Sequence, residues 1–209
     1  MTKEAIKNSF SIQDLEILSG VKAHTIRIWE KRFDFLKPER GTRNVRTYNL
    51  DHLKKLLNAS LLNKNGFKIS EISILTPDEL SYEAKKCGLD NVNLSLDINS
   101  IIIAMFTLDE GLFNSTYKRI RNYREFDDIY LNTFVPVLQR VGYLWQSDSI
   151  TPSHEHFLSC LIYQKLVLEI SLLEESSESL GPVNILFLPT GEIHEFGLMF
   201  INYCLRSQG

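Results

Sequence analysis

The side chains best placed to do chemistry lie in residues 23–32, which read AHTIRIWEKR. Ile26 and Trp29 are three apart and share one face of a helix, while Thr25, Arg27 and Lys31 project elsewhere. A short helix with an apolar back and a cationic front suits a DNA major groove, which admits one helix between walls of phosphate. The same decade taken alone also describes an ordinary surface helix with solvated charges. Independent catalysis has little to draw on, because no nucleophile stands with a partner base and no carboxylates are paired. Cys87, Cys160 and Cys204 are far apart, odd in number and without a CxxC spacing, so neither a disulfide framework nor a zinc site is suggested. His154 and His156 diverge on a helix, which argues against a zinc pair.

The distribution of charge says where a polyanion could bind. The net charge of −3 divides unevenly: residues 1–75 hold 14 Lys and Arg against 8 Asp and Glu, and the remainder holds 9 against 18. An acidic body repels nucleic acid, so any such contact belongs to the basic first third. Hydrophobic content of 44% and charged content of 23% are ordinary for a soluble globular chain. No stretch approaches the roughly 20 apolar residues of a membrane span, and the expected location is cytoplasmic, with no membrane partner.

The elements that must position these residues follow in order. Ser11 offers an N-cap with Asp14 three positions on, and Ile12, Leu15 and Leu18 make a stripe that ends at Gly20. A turn of about three residues leads into the cationic helix, a helix-turn-helix arrangement. Pro38 and Gly41 then break any helix, and Val45, Thr47 and Tyr48 favour strand, which predicts a small ribbon, or wing, carrying Arg40, Arg43 and Arg46. Asn49 caps a further helix with Leu50, Leu53, Leu56, Leu57 and Leu61 in a 3-4 rhythm, closed at Asn65-Gly66.

Thr76-Pro77-Asp78-Glu79 reads as a capping box, and Thr107-Leu108-Asp109-Glu110 as a second. Four helices of bundle length are expected between 76 and 176, the third running from Arg124 to Trp145 and the last opening at Thr151-Pro152. Beyond a polar linker, residues 183–189 read as a buried, parallel-type strand, followed by a loop with Glu192 and His194 and an apolar helix from Leu198 to Leu205.

Ser11-Ile12-Gln13-Asp14-Leu15, His24-Thr25-Ile26-Arg27-Ile28-Trp29-Glu30, Leu36-Lys37-Pro38-Glu39-Arg40, Arg46-Thr47-Tyr48 and Asn65-Gly66-Phe67-Lys68-Ile69-Ser70-Glu71-Ile72 together resemble the winged-helix domain of the MerR family. That resemblance implies a DNA-binding transcriptional regulator whose contacts are Thr25, Arg27, Lys31, Arg43, Arg46 and Tyr48. Trp29 stands where many members carry Tyr. Glu192-Ile193-His194-Glu195-Phe196-Gly197 resembles a cobalamin-binding loop, in which a histidine ligates cobalt and an upstream carboxylate holds its other nitrogen; Glu192 replaces the more frequent Asp. Trp145 with Glu155-His156 resembles the cap over the upper face of the corrin in cobalamin-dependent MerR regulators of the CarH and LitR type. Gln146 follows Trp145, where light sensors of that group place a histidine.

The implied organisation is mainly α: a winged helix-turn-helix over 1–75, a four-helix bundle capping cobalamin over 76–176, and over 177–209 a linker and the first β-α unit of an incomplete flavodoxin-like (Rossmann-like) cobalamin-binding domain. The implied cofactor is adenosylcobalamin, with light as a further input and His194 as the lower cobalt ligand. Its implied partners are a double-stranded operator, further copies of the chain as a dimer or tetramer, and RNA polymerase. Two alternatives fit the residues. One is a cobalamin-independent repressor whose bundle binds a protein. The other is a corrinoid carrier, against which the basic N-terminal module argues.

Overall fold

A computed structural model describes residues 9–41, 45–89, 94–146, 149–173 and 183–208. Its first helix, α1 (Ile12–Ser19), is fixed at both ends by its own sequence. Ser11 and Asp14 form a reciprocal capping box, and Gly20 takes the left-handed conformation (φ 72°) that returns its N–H to the Glu16 carbonyl. The next helix, α2 (Ala23–Phe33), buries Ile26 and Trp29 and leaves Arg27, Lys31 and Arg32 exposed. Strands β1 (Glu39–Arg40) and β2 (Arg46–Thr47) pair antiparallel, with Glu39 opposite Thr47 and Arg40 opposite Arg46. Helix α3 (Leu50–Lys64), capped by Asn49 and His52, and the short α4 (Ile69–Ile72) complete the winged unit.

Helix α5 (Pro77–Leu89) opens with the expected Thr76–Glu79 box and packs along α3, carrying the chain out of the winged unit. The bundle consists of α6 (Leu94–Thr107), α7 (Glu110–Arg121), an interrupted third helix and α10 (Pro152–Ser171). Two local expectations change here. The cap of α7 is Asp109, whose carboxylate accepts the Leu112 N–H at 2.8 Å. Thr107 instead ends α6, its hydroxyl turned back onto the Ile103 carbonyl, and Leu108 makes the break with φ 52°. The third helix is built as α8 (Phe126–Ile129), a π-turn over Tyr130–Phe134, and α9 (Val135–Gln146). Pro136 lies just beyond the widened turn; it has no N–H to continue the α ladder, and its ring would strike the carbonyl four residues back.

The C-terminal segment departs from expectation in one respect. Residues 183–189 run without a paired strand among the described residues, and Val183, Ile185 and Phe187 are 75–90% exposed, so the expected buried strand is not formed. A parallel strand acquires burial only from neighbours on its edges and cover on its faces, and here it has neither. Helix α11 (Phe196–Ser207) does form and docks on the bundle, with Phe200 stacked on Tyr130 at 4.0 Å and Tyr203 edge-on to Phe126 at 4.9 Å. The expected linker falls on residues 174–182, outside those described.

The core runs without a break from the winged unit into the bundle. Phe10 meets Phe106 edge-to-face at 4.9 Å. Two polar contacts join α1 to the third bundle helix and the loop after it: the Arg140 guanidinium donates to the Leu18 carbonyl at 2.8 Å, and the Ser149 hydroxyl donates to Asp14. Asp14 thereby caps α1 and ties it to the loop that follows α9.

Candidate nucleic-acid interface and ligand cleft

The cationic face has two parts held at a fixed angle. Helix α2 supplies Arg27 and Lys31, the ribbon supplies Arg40 and Arg46, and all four line one groove with Glu30 and Asp34. Thr25 is half-buried on the same helix, its hydroxyl 3.4 Å from His24 Nε2. The back of α2 is anchored by Trp29, edge-on to Phe35 at 5.7 Å. Arg43 lies outside the described residues. Tyr48 is placed differently from a phosphate contact: it is 0% exposed and its hydroxyl donates to Glu30 at 2.6 Å. Burial, then the Glu30 carboxylate, pushes that hydroxyl well above the usual phenol range, so it stays protonated and remains a donor. The same Glu30 accepts Arg46 Nε at 3.2 Å. Sequence reasoning passed over Glu30, although it lies three residues from Arg27 on a helix and so beside it.

A second site forms where α9, α10 and the start of α11 converge. A cleft of about 780 Å³ is lined by Trp145, Gln146, Glu155, His156, His194 and Gly197, residues that come from three elements. Its floor is apolar, with Leu138, Val141 and Gly142 seven, four and three positions before Trp145 on the same face of α9. That spacing was readable once Trp145 was singled out. On α10, Glu155 is held from both sides: Oε1 accepts the Ser159 hydroxyl at 2.6 Å, and Oε2 lies 2.8 Å from His156 Nδ1. Ser159, four residues from Glu155, was missed for the same reason as Glu30.

The loop before α11 is shaped by a turn. Gly191 adopts φ 89° and Glu192 N–H returns to the Pro189 carbonyl at 3.0 Å. Glu192 then folds onto its own successor, with Oε1 accepting the backbone N–H groups of Ile193 at 2.7 Å and His194 at 2.8 Å. Its Oε1 also lies 2.5 Å from His194 Nδ1. The His194 backbone N–H first, then the imidazole, holds the Glu192 carboxyl below the ordinary carboxylate range. Glu192 does not line the cleft. Its part is to fix the imidazole that does.

Both imidazoles of the cleft thus have Nδ1 turned to a carboxylate, which leaves Nε2 of each as the ligating or donating atom. The donor set fits a cobalt corrinoid: one oriented imidazole as ligand, a flat indole and an aliphatic floor for an apolar ring, and a Glu-His pair on α10. Among the described residues no group of three or more His, Cys, Asp and Glu gathers that could hold a metal ion.

Comparison with known proteins agrees with both halves. Residues 10–79 match the family model "MerR HTH family regulatory protein", and residues 98–168 match "B12 binding domain". The first match lies over the winged unit and the second over the bundle. The chain is similar to the HTH-type transcriptional repressor CarH of Myxococcus xanthus, at 27% identity over 205 residues, which is 92% of this chain and 65% of the relative. It is similar also to the repressor CarA of the same organism, at 24% identity over 202 residues, 95% of this chain and 65% of the relative. The chain therefore spans about two thirds of the length of these relatives. No helix among the described residues is long and apolar enough to cross a membrane.

Proposed function

We propose that the chain is a non-enzymatic, sequence-specific DNA-binding transcriptional regulator, with a winged unit over 1–75 and a bundle over 76–176, that senses adenosylcobalamin and acts as a homo-oligomer. The observation that carries this reading is the cleft. Trp145, Glu155 and His156 on the bundle and His194 and Gly197 beyond the 174–182 segment line one cavity, on the same chain as a cationic helix and ribbon. Residues 183–208 contribute the His194 loop and α11 to that reading.

The roles follow from the geometry. His194 would ligate through Nε2, with Glu192 fixing its plane and tautomer. Trp145 and the α9 floor cover the apolar ring and exclude water from the cleft. Glu155, braced by Ser159, would fix the His156 imidazole at the wall of the cleft. When bound, the cobalamin would supply a cobalt centre able to accept the imidazole nitrogen. Helix α9 carries Trp145 at one end of this site and, through Arg140, holds the Leu18 carbonyl of α1, the helix that packs against α2, so cleft and DNA face are linked through α1. Any gain in DNA affinity on assembly would come from effective concentration rather than from new contacts.

The test is DNA binding with and without adenosylcobalamin, in the wild-type chain and in Arg27→Ala and Arg46→Ala. Each substitution removes one cation from the groove and is expected to weaken binding and flatten its salt dependence by about one charge. Adenosylcobalamin is expected to change the wild-type affinity. Unchanged affinity in both variants would overturn the DNA reading, and indifference to adenosylcobalamin would favour a bundle that serves as a protein-interaction surface.

A further inference from the structure

The groove between α2 and the ribbon contains a carboxylate where phosphate is to be met, and that placement calls for a reason. Glu30 has only 10% of its side chain exposed, yet it stands among Arg27, Lys31, Arg40 and Arg46. A carboxylate facing a polyanion opposes binding on charge alone. Its two hydrogen bonds are both long-range in sequence, to Arg46 Nε at 3.2 Å and to Tyr48 Oη at 2.6 Å, and both partners belong to β2 or the residue after it.

The ribbon needs such a tie. Its two strands have two residues each, and isolated hairpins of that size do not hold themselves together in water. Arg40 and Arg46 sit directly opposite one another, and like charges across a strand pair repel. Glu30 offsets that repulsion and occupies the Nε of Arg46, a bond that does not use the two terminal nitrogens. Tyr48 is locked in the core and fixes the carboxylate from behind.

Resting on the DNA reading above, we infer that Glu30 is a positioning residue for DNA recognition: it orders Arg46 against the recognition helix and sets the angle at which helix and wing meet one duplex. Ordering one long side chain before binding is worth roughly threefold to tenfold in affinity. The effect falls on the matched duplex, where helix and wing must both be in register, and not on indiscriminate phosphate contact.

Charge and positioning predict opposite signs for Glu30→Gln in the full chain. The probes are a duplex of about 30 base pairs, room for two half-sites, selected by the wild-type chain from a random pool, and the unselected pool itself. If Glu30 only repels phosphate, Glu30→Gln binds both more tightly. Positioning instead predicts that binding to the selected duplex weakens roughly threefold to tenfold while binding to the pool is unchanged or tighter. Tyr48→Phe, which alters no charge, is expected to lose selectivity in the same direction, and less than additively when combined with Glu30→Gln. Glu30→Gln binding the selected duplex as tightly as wild type overturns the inference. Should Glu30→Gln fail to fold, Tyr48→Phe decides: lost selectivity supports the assignment and retained selectivity overturns it. If Arg27→Ala and Arg46→Ala also leave affinity unchanged, the DNA reading itself has failed. If those weaken binding and Glu30→Gln does not, only the positioning role is lost.

Discussion

Glu169 is a carboxylate buried in the bundle, 4% exposed, and it is retained there by two charge-assisted bonds. Tyr117 Oη donates to it at 2.5 Å and Arg121 Nε at 3.1 Å. Burial and the carboxylate together push the Tyr117 hydroxyl far above its usual range, so it remains a donor at any physiological pH. Tyr117→Phe removes that donor and leaves the charge under-solvated; a loss of about 1.5–3 kcal/mol is expected, read as a lower urea midpoint with an unchanged m-value. A second residue-scale prediction concerns pH. His52 Nδ1 accepts the Asn49 N–H at 3.2 Å in the cap of α3, which requires a neutral imidazole. Burial lowers its pKa below the ordinary 6.5. A histidine depressed in the folded state contributes its stability fully above 6.5 and loses it as pH falls through the folded value. Melting temperature should therefore fall more steeply below that pH in wild type than in His52→Gln, whose side-chain oxygen accepts without titrating.

Local sequence was sufficient for elements whose causes are local. Ser11 with Asp14 and Thr76 with Glu79 each lie within one turn, and each forms the capping box that its spacing implies. At α7 two neighbouring residues competed for the same role. Asp109 prevailed because Thr107 still lies within α6 and spends its hydroxyl on that helix. Asp109→Ala is expected to cost about 1 kcal/mol, measured by thermal unfolding, whereas Thr107→Ala should cost less. The π-turn before Pro136 follows from the missing donor, whereas the expected helix from Arg124 to Trp145 ran through that proline unbroken. The extended segment 183–189 was read by composition, and composition supplies no strand partner. The cleft was legible as five separate residues, Trp145, Glu155, His156, His194 and Gly197. Its floor and braces, Gly142 and Ser159, became visible only when helix geometry placed them beside those five. Tyr48 could not be assigned inward or outward from a short strand, since a one-residue shift reverses the face.

At the scale of the molecule, one hydrophobic core joins a basic unit to an acidic body, and the seam between them is polar and specific. Arg140 and Ser149 reach α1 from positions 122 and 135 residues away, distances at which no sequence pattern announces a partner. Burial lowers the pKa of Arg140, a sign that its charge is held with little help from water. Arg140→Met removes the bond to the Leu18 carbonyl and is expected to cost about 1–3 kcal/mol, with faster hydrogen exchange in α1 than in α10. Both units should still unfold in a single transition, because the core between them is continuous. On the proposed function this body holds a corrinoid on the same chain that carries the DNA face. The most direct test is a titration of the chain with adenosylcobalamin in the dark, followed by the corrin absorption spectrum in wild type and in His194→Ala. A saturable spectral change in wild type that is lost in His194→Ala is the predicted result; no saturable change in wild type, or an identical change in the variant, would contradict it.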